Sequence, residues 1–267
     1  MNVLPRLIAC DIDGTLLTGG ATDVSLRLFP LIRRLQKRGV LFCPASGRQY
    51  HSLRGLFAPV ADELYYLCEN GSILFGPGPE DAPPVLSKTV IPRTDAMALA
   101  HGMLALPGCE PMLSGQNTVY IPAASAALAR VLRQQVGNRV AFFAAPEDVA
   151  EEIVKISAYC PNAIRRIEET LRPGWEARLN VAVAGAEWLD FTPANKGTGL
   201  RRLCRLLGVE TTETLAIGDN WNDVPMLDAV GRPFIMSGAA PALLARYPMH
   251  CDDVAALLAR LMEEAGA

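Results

Sequence analysis

The sequence lacks any sustained run of basic residues: Lys and Arg number 25 against 28 Asp and Glu, for a formal net charge of −3. Reading a nucleic-acid backbone needs clustered Lys and Arg, so nucleic acid is excluded as the main partner. No apolar stretch reaches the roughly 18 residues a spanning helix requires, so no membrane association is expected. The opening Met1–Arg6 is too short in apolar residues before Asp11 for a secretory signal. None of the seven cysteines stands at a CxxC spacing, which argues against zinc or dithiol motifs. Cys10, Cys43 and Cys68 sit inside apolar runs and read as small buried hydrophobes, as suits a reducing cytoplasm. The three histidines are isolated and read as non-catalytic. No internal repeat or low-complexity tract is visible.

What is present is ordinary globular material, with enough apolar residues for a core that needs no metal or disulfide. Short apolar runs at Arg6–Cys10, Val40–Ala45 and Tyr65–Cys68 predict strands. Ser25–Arg38, closed by Gly39, predicts a helix, and another passes through Leu53 and Leu56. This alternation implies βαβ units and a parallel sheet. Beyond the turn-rich Gly76–Pro84 the order changes. Strands are expected at Val85–Ile91, Ile153–Tyr159 and Leu179–Ala184, with a hairpin formed by Pro111–Leu113 and Val119–Ile121. Helices are expected at Thr94–Leu106, Ala123–Val136 and Asn162–Leu171. Alternation returns with strands at Trp188–Phe191, Thr214–Ile217 and Pro233–Met236. Helices Lys196–Leu207, Val224–Val230, Pro241–Arg246 and Val254–Glu264 complete it. The fold class expected is α/β, a doubly wound parallel-sheet core (1–82 and 187–267) interrupted by an inserted α+β cap (83–186). Gly76–Pro84 and Gly185–Glu187 are read as the hinges.

Polar residues gather at the ends of the predicted core strands. Asp11-Ile12-Asp13-Gly14-Thr15 follows the first strand, where open α/β sheets place ligands, although a turn or a helix cap could also use these acids. Ser46-Gly47-Arg48 follows the second: a hydroxyl and free N–H groups suit a phosphate, and a cap explains Ser46 equally well. Lys196 opens a helix, where a cation is disfavoured, so something anionic should face it. Gly218-Asp219-Asn220-Trp221-Asn222-Asp223 follows another strand. Asp11, Asp13, Asp219 and Asp223 would converge at one sheet edge. Two like charges about 4 Å apart cost about 4 kcal/mol at an effective dielectric of about 20. Such a cluster takes up protons or binds a cation, and hard oxygen donors select Mg²⁺.

In this order the four segments resemble those of the haloacid dehalogenase superfamily. The insertion after Asn70-Gly71, and Pro225-Met226-Leu227 after the acidic motif, resemble its Cof-type branch with a large α/β cap. The resemblance implies a Mg²⁺-dependent phosphatase of a small phosphorylated metabolite. Asp11 would be the nucleophile and Asp13 the general acid and base. Ser46, Gly47, Arg48, Lys196 and Asn222 would bind phosphate. The Asp11 carboxylate, the Asp13 carbonyl and Asp219 would ligate metal, and Asp223 would orient Lys196 or a metal-bound water. Ser46 stands where the family often has Thr, Asn195 where Ser is common, and Gly238 where its Met-Gly-Asn-Ala loop has Asn. Arg48 is left between substrate and a surface acid, Glu69 and Asn70 between pocket and turn, and Trp221 between pocket and packing. The rivals are a sugar-phosphate mutase and, from another class, a phosphorylation-driven receiver. Receivers are near half this length and need neither Asp13 nor an insertion. The specific substrate and the oligomeric state are not encoded in any motif.

Overall fold

The computed structural model describes residues 3–266; Met1 and Asn2 of the opening segment, and Ala267, lie outside the described residues. The chain divides into two compact units. The first comprises residues up to 47, 53–87 and from 196 onward; the second comprises 48–52 and 88–195.

In chain order the elements begin with β1 (Leu7–Cys10), α1 (Leu28–Gln36), β2 (Leu41–Pro44), α2 (Tyr50–Leu56), β3 (Tyr66–Cys68), β4 (Ile73–Phe75) and β5 (Val85–Lys88). There follow α3 (Arg93–Leu104), β6 (Glu110–Ser114), β7 (Val119–Pro122), α4 (Ala126–Val131), β8 (Val140–Phe143), β9 (Lys155–Tyr159), α5 (Ile164–Trp175), β10 (Asn180–Ala184) and β11 (Trp188–Thr192). The last are α6 (Lys196–Leu207), β12 (Thr214–Gly218), α7 (Val224–Leu227), β13 (Arg232–Met236), α8 (Pro241–Arg246), β14 (His250–Cys251) and α9 (Val254–Glu264).

The first unit is built on a five-stranded sheet ordered β14-β13-β12-β1-β2. All its pairings are parallel. The central strands β1 and β12 are short, apolar and buried along their whole length, as expected where both faces of a sheet are covered. Helix α1 buries Leu28, Phe29, Ile32 and Leu35, one stripe of a 3.6-residue repeat. It ends before Gly39, whose φ of +80° an L side chain seldom adopts. From β1 the chain steps one way to β2 and later the other way through β12, β13 and β14. The reversal therefore falls between β1 and β12, and ligands of open α/β sheets bind at such a point, beyond the strand ends.

The second unit has a six-stranded sheet ordered β10-β11-β9-β6-β7-β8, antiparallel except for the β7–β8 pair. Ala96, Leu99, Ala100 and Met103 of α3 and Ile167 and Leu171 of α5 pack on one face, against Leu113, Ile156, Ala158, Leu189 and Phe191.

Several expectations change. Trp188–Thr192 is a strand, but it pairs with β10 and β9 in the second unit, so the expected return to the core at 187 moves to 196. Gly185–Glu187 is the turn joining β10 to β11 rather than a hinge, since Ala184 pairs with Trp188 across it. Gly76–Pro84 likewise joins β4 to β5, closed by Gly76 N–H on the Pro84 carbonyl at 2.8 Å. Glycine and proline mark a turn; the same chemistry serves a linker and a hairpin. The strand expected at Tyr65–Cys68 lies in a separate three-stranded sheet, β3-β4-β5, beside β2, with a bridge from Ala45 to Leu67 just past its end.

Candidate active site

Asp11 follows β1 directly, and Asp219 follows β12 directly. Cys10 pairs with Ile217, so the two acids leave neighbouring strands at nearly the same height. The Asp11 N–H still donates to the Ile217 carbonyl (2.9 Å), which fixes the first acid to the second strand. Gly14 allows the loop after Asp11 to turn: its φ is +91°, and a Cβ there would collide with the Asp219 carboxylate. The hydroxyl of Thr15 donates to Asp219 Oδ1 at 3.2 Å and aims that side chain.

Asp223 arrives by a tight 3₁₀ turn, Trp221–Asp223. Its Oδ2 accepts the backbone N–H groups of Asp219 (3.0 Å) and Asn220 (3.1 Å). Gly218 makes the fold-back possible, because a Cβ there would overlap the Asp223 side chain. Lys196 is the first residue of α6. Gly197 lets α6 approach α7 so closely that a Cβ would run into the Pro225 carbonyl. That approach sets the Lys196 ammonium between two acids, 2.5 Å from Asp11 Oδ1 and 2.6 Å from Asp223 Oδ1. The anionic company that a lysine at a helix start requires is thus Asp11 and Asp223.

Lys196 is 1 % exposed and Asp11 4 %. Burial alone would lower the lysine, but Asp11 and Asp223 outweigh it and raise its pKa, so the ammonium stays charged. Burial, then the charge of Asp223, pushes Asp11 well above the usual carboxylate range, although Lys196 opposes both. Asp219 is raised for the same two reasons, burial first. One carboxylate oxygen from each of Asp11, Asp219 and Asp223 lies within 4.8 Å of the others. Three carboxylates thus face one ammonium, and every donor is a hard oxygen. The residues fit a divalent cation such as Mg²⁺.

The remaining expected residues are placed as follows. The Asp13 side chain is exposed on the loop beyond Asp11 and is not one of that carboxylate trio. Ser46 is buried two residues past β2, its N–H on the Leu67 carbonyl (2.9 Å) and its own carbonyl accepting from Asn70 N–H (3.0 Å). Gly47 lies against the Asn70 amide, 3.0 Å from where its Cβ would be. Arg48 donates to Ser52 Oγ (3.4 Å) within the second unit. Asn222 is exposed on the 3₁₀ turn. Trp221 beside it is 58 % exposed, which removes the packed-indole alternative.

Two residues given no role at the site's core from sequence support it. Thr15 orients Asp219, and Asn70 ties down the Ser46 loop. Glu69, Asn70 and Gly71 take three consecutive positive φ values (49°, 55°, 94°), a strained path at the end of β3. The signal for Thr15 was its place beside Gly14; that for Asn70 was the Asn-Gly pair.

The family model for haloacid dehalogenase-like hydrolases matches residues 8–255. The chain belongs to that family. The 5-amino-6-(5-phospho-D-ribitylamino)uracil phosphatase YbjI of Escherichia coli is 27% identical over 247 residues, covering 90% of this chain and 88% of the relative. An HMP-PP phosphatase of Serratia proteamaculans is 27% identical over 273 residues, covering 94% and 92%. Among solved structures, a protein from Eubacterium rectale superposes with a TM-score of 0.85 at 24% identity, covering 96% of this chain and 98% of the other. The HAD subclass IIB sugar phosphatase BT4131 superposes at 0.78 and 16% identity, covering 96% and 98%. At such identities these structures establish the fold. Family and relatives together establish the enzyme class, a phosphatase of the haloacid dehalogenase type. Among the described residues, no helix is long and apolar enough to cross a membrane.

Proposed function

We propose that the protein is a Mg²⁺-dependent phosphomonoester hydrolase that works through a phosphorylated Asp11 on a small phosphorylated metabolite in a reducing cytoplasm. The observation carrying this reading is the buried Lys196 ammonium bonded at once to Asp11 and Asp223, with Asp219 alongside. A carboxylate held there by a cation is oriented for attack while its charge is compensated.

In the first step an Asp11 oxygen attacks phosphorus, the bond to the leaving oxygen breaks, and Asp13 gives that oxygen a proton. In the second, water attacks the same phosphorus, Asp13 takes its proton, and inorganic phosphate leaves as Asp11 is regenerated. The exposure of Asp13 suits a group that must meet both leaving group and water. Lys196, the Ser46 hydroxyl and the Gly47 N–H would bind the transferring phosphoryl group, with Asn222 assisting. Asp11, the Asp13 carbonyl and Asp219 would hold the metal. Bound Mg²⁺ supplies charge neutralisation for the phosphoryl oxygens. Asp223 positions Lys196. The relatives' names point to substrates such as a uracil carrying a phosphorylated ribityl chain, or HMP-PP.

The test is phosphate release from the ribitylaminouracil phosphate, HMP-PP and a series of sugar phosphates, with Mg²⁺, for the native chain and Asp11→Asn. Loss of at least about 10³-fold in the variant is expected. Turnover that survives the substitution excludes Asp11 as nucleophile, and isomerised sugar phosphate without free phosphate would make the protein a mutase.

A further inference from the structure

Outside the site, two sulfurs of the second unit meet. Cys109 and Cys160 lie Sγ to Sγ at 3.4 Å and share a hydrogen bond. They stand at facing ends of adjacent strands. Glu110 of β6 pairs with Tyr159 of β9, and one step outward brings Cys109 opposite Cys160.

The backbone there favours a bridge. In an antiparallel ladder, facing residues alternate between hydrogen-bonded and non-bonded pairs. Pro111, facing Ala158, has no N–H to give, and two positions outward Cys109 sends its N–H to the Leu106 carbonyl while Cys160 sends its own to the Glu187 carbonyl. Cys109 and Cys160 therefore form a non-bonded pair, whose Cα separation is about 4.5 Å in a regular ladder. Disulfides span Cα separations of roughly 4.4–6.8 Å. Closing the sulfurs from 3.4 Å to the bonded length of about 2.05 Å is a matter of side-chain rotation.

The pair differs from the chain's other thiols. Cys10, Cys43, Cys204 and Cys251 have their pKa raised chiefly by burial. The hydrogen bond between the two sulfurs instead lowers Cys160 while it raises Cys109. Cys109 keeps 7 % exposure beside the exposed Pro107-Gly108 turn, whereas Cys160 is fully buried.

We propose that Cys109 and Cys160 are a reversible dithiol–disulfide site, oxidised by exchange with a low-molecular-weight disulfide. Access decides which sulfur reacts first: although the shared hydrogen bond holds the Cys109 thiol up, only Cys109 reaches the open strand end, so it gives its proton to solvent and attacks one sulfur of the small disulfide. Its S–S bond breaks, and one small thiol leaves with a proton. Cys160 then loses its proton and attacks the Cys109 sulfur, expelling the second small thiol. In sum one small disulfide is reduced to two thiols, and the protein dithiol loses two electrons and two protons.

The experiment holds the full chain in a glutathione disulfide excess, quenches it with acid, and alkylates under denaturing conditions before peptide mass mapping. Of the seven cysteines, two should escape alkylation and the other five be labelled, with one peptide pair linking Cys109 to Cys160. Excess dithiothreitol should restore all seven. Cys109→Ser and Cys160→Ser should each abolish the linked pair. Seven labelled cysteines after oxidation, stable mixed disulfides without the link, or a link elsewhere would each overturn the proposal. The map on the native chain decides the matter even if a serine variant folds poorly.

Discussion

Lys196 shows how one buried side chain can be required by its neighbours. It is enclosed, charged and shared between two carboxylates that would otherwise face each other. Breaking a buried ion pair by removing one partner strands the other charge at a cost of about 3–5 kcal/mol. Lys196→Met should therefore lower the unfolding free energy by about that amount, read as a reduced urea midpoint without change of slope. Adding Asp223→Asn should recover part of the loss, because the side chain left between the acids then faces one charge fewer. A loss below about 1 kcal/mol in the single variant would mean that Lys196 is not clamped as described. Gly14→Ala tests the neighbouring geometry. The new methyl would meet the Asp219 carboxylate and sit at a φ of +91°, so metal should bind at least about tenfold more weakly in isothermal titration.

At the residue scale the site was legible because its parts lie at strand ends, each announced by glycine and a polar residue after an apolar run. Asp11, Ser46, Lys196 and Asp219 were each weak signals alone and stood out only in one another's company. What sequence does not encode is direction. It could not separate Asp13, exposed on its loop, from the three carboxylates that share a cluster, nor tell that Trp221 stands out into solvent.

Elements formed where local signals were strong and misled where partnership decided. Lys196–Leu207, Pro241–Arg246 and Val254–Glu264 are helices over the residues expected, since apolar spacing and stop signals agree at both ends. Strand β8 was not expected: Val140–Phe143 has no alternation, and its place follows from pairing with β7. Trp188–Thr192 reads as a strand in either unit, because a strand's own pattern says that it pairs and not with which neighbour. Packing overrides propensity in the same way for two helical glycines. Gly102 in α3 has nothing within 4 Å of an added Cβ, so Gly102→Ala should stabilise by about 0.5–1 kcal/mol. Gly197 in α6 lies against the Pro225 carbonyl, so the same substitution there should destabilise by about 1–3 kcal/mol despite the propensity gain. Chemical denaturation of both variants checks the sign: stabilisation in both would mean that α6 and α7 are not in close contact.

For the whole molecule the expected consequence of the acidic cluster is a stability that rises when a divalent cation is added. Three carboxylates crowd one ammonium in a dry place, and a ligand that binds the folded state alone stabilises by mass action. At a free Mg²⁺ concentration of about one hundred times its dissociation constant the gain is about 2.7 kcal/mol. For a chain of this size that corresponds to a rise in thermal midpoint of roughly 5–10 °C, reversed by EDTA. Asp219→Asn should abolish most of the shift, since it removes a ligand without touching the Lys196 clamp. The gain is also local in origin. Hydrogen exchange should slow on Mg²⁺ addition in residues 8–15 and 214–224, where the cluster is anchored, and stay unchanged in β6 and β9, which belong to the other unit. An equal thermal shift in Asp219→Asn, or protection spread evenly over both units, would mean that the cation acts somewhere other than at these strand ends.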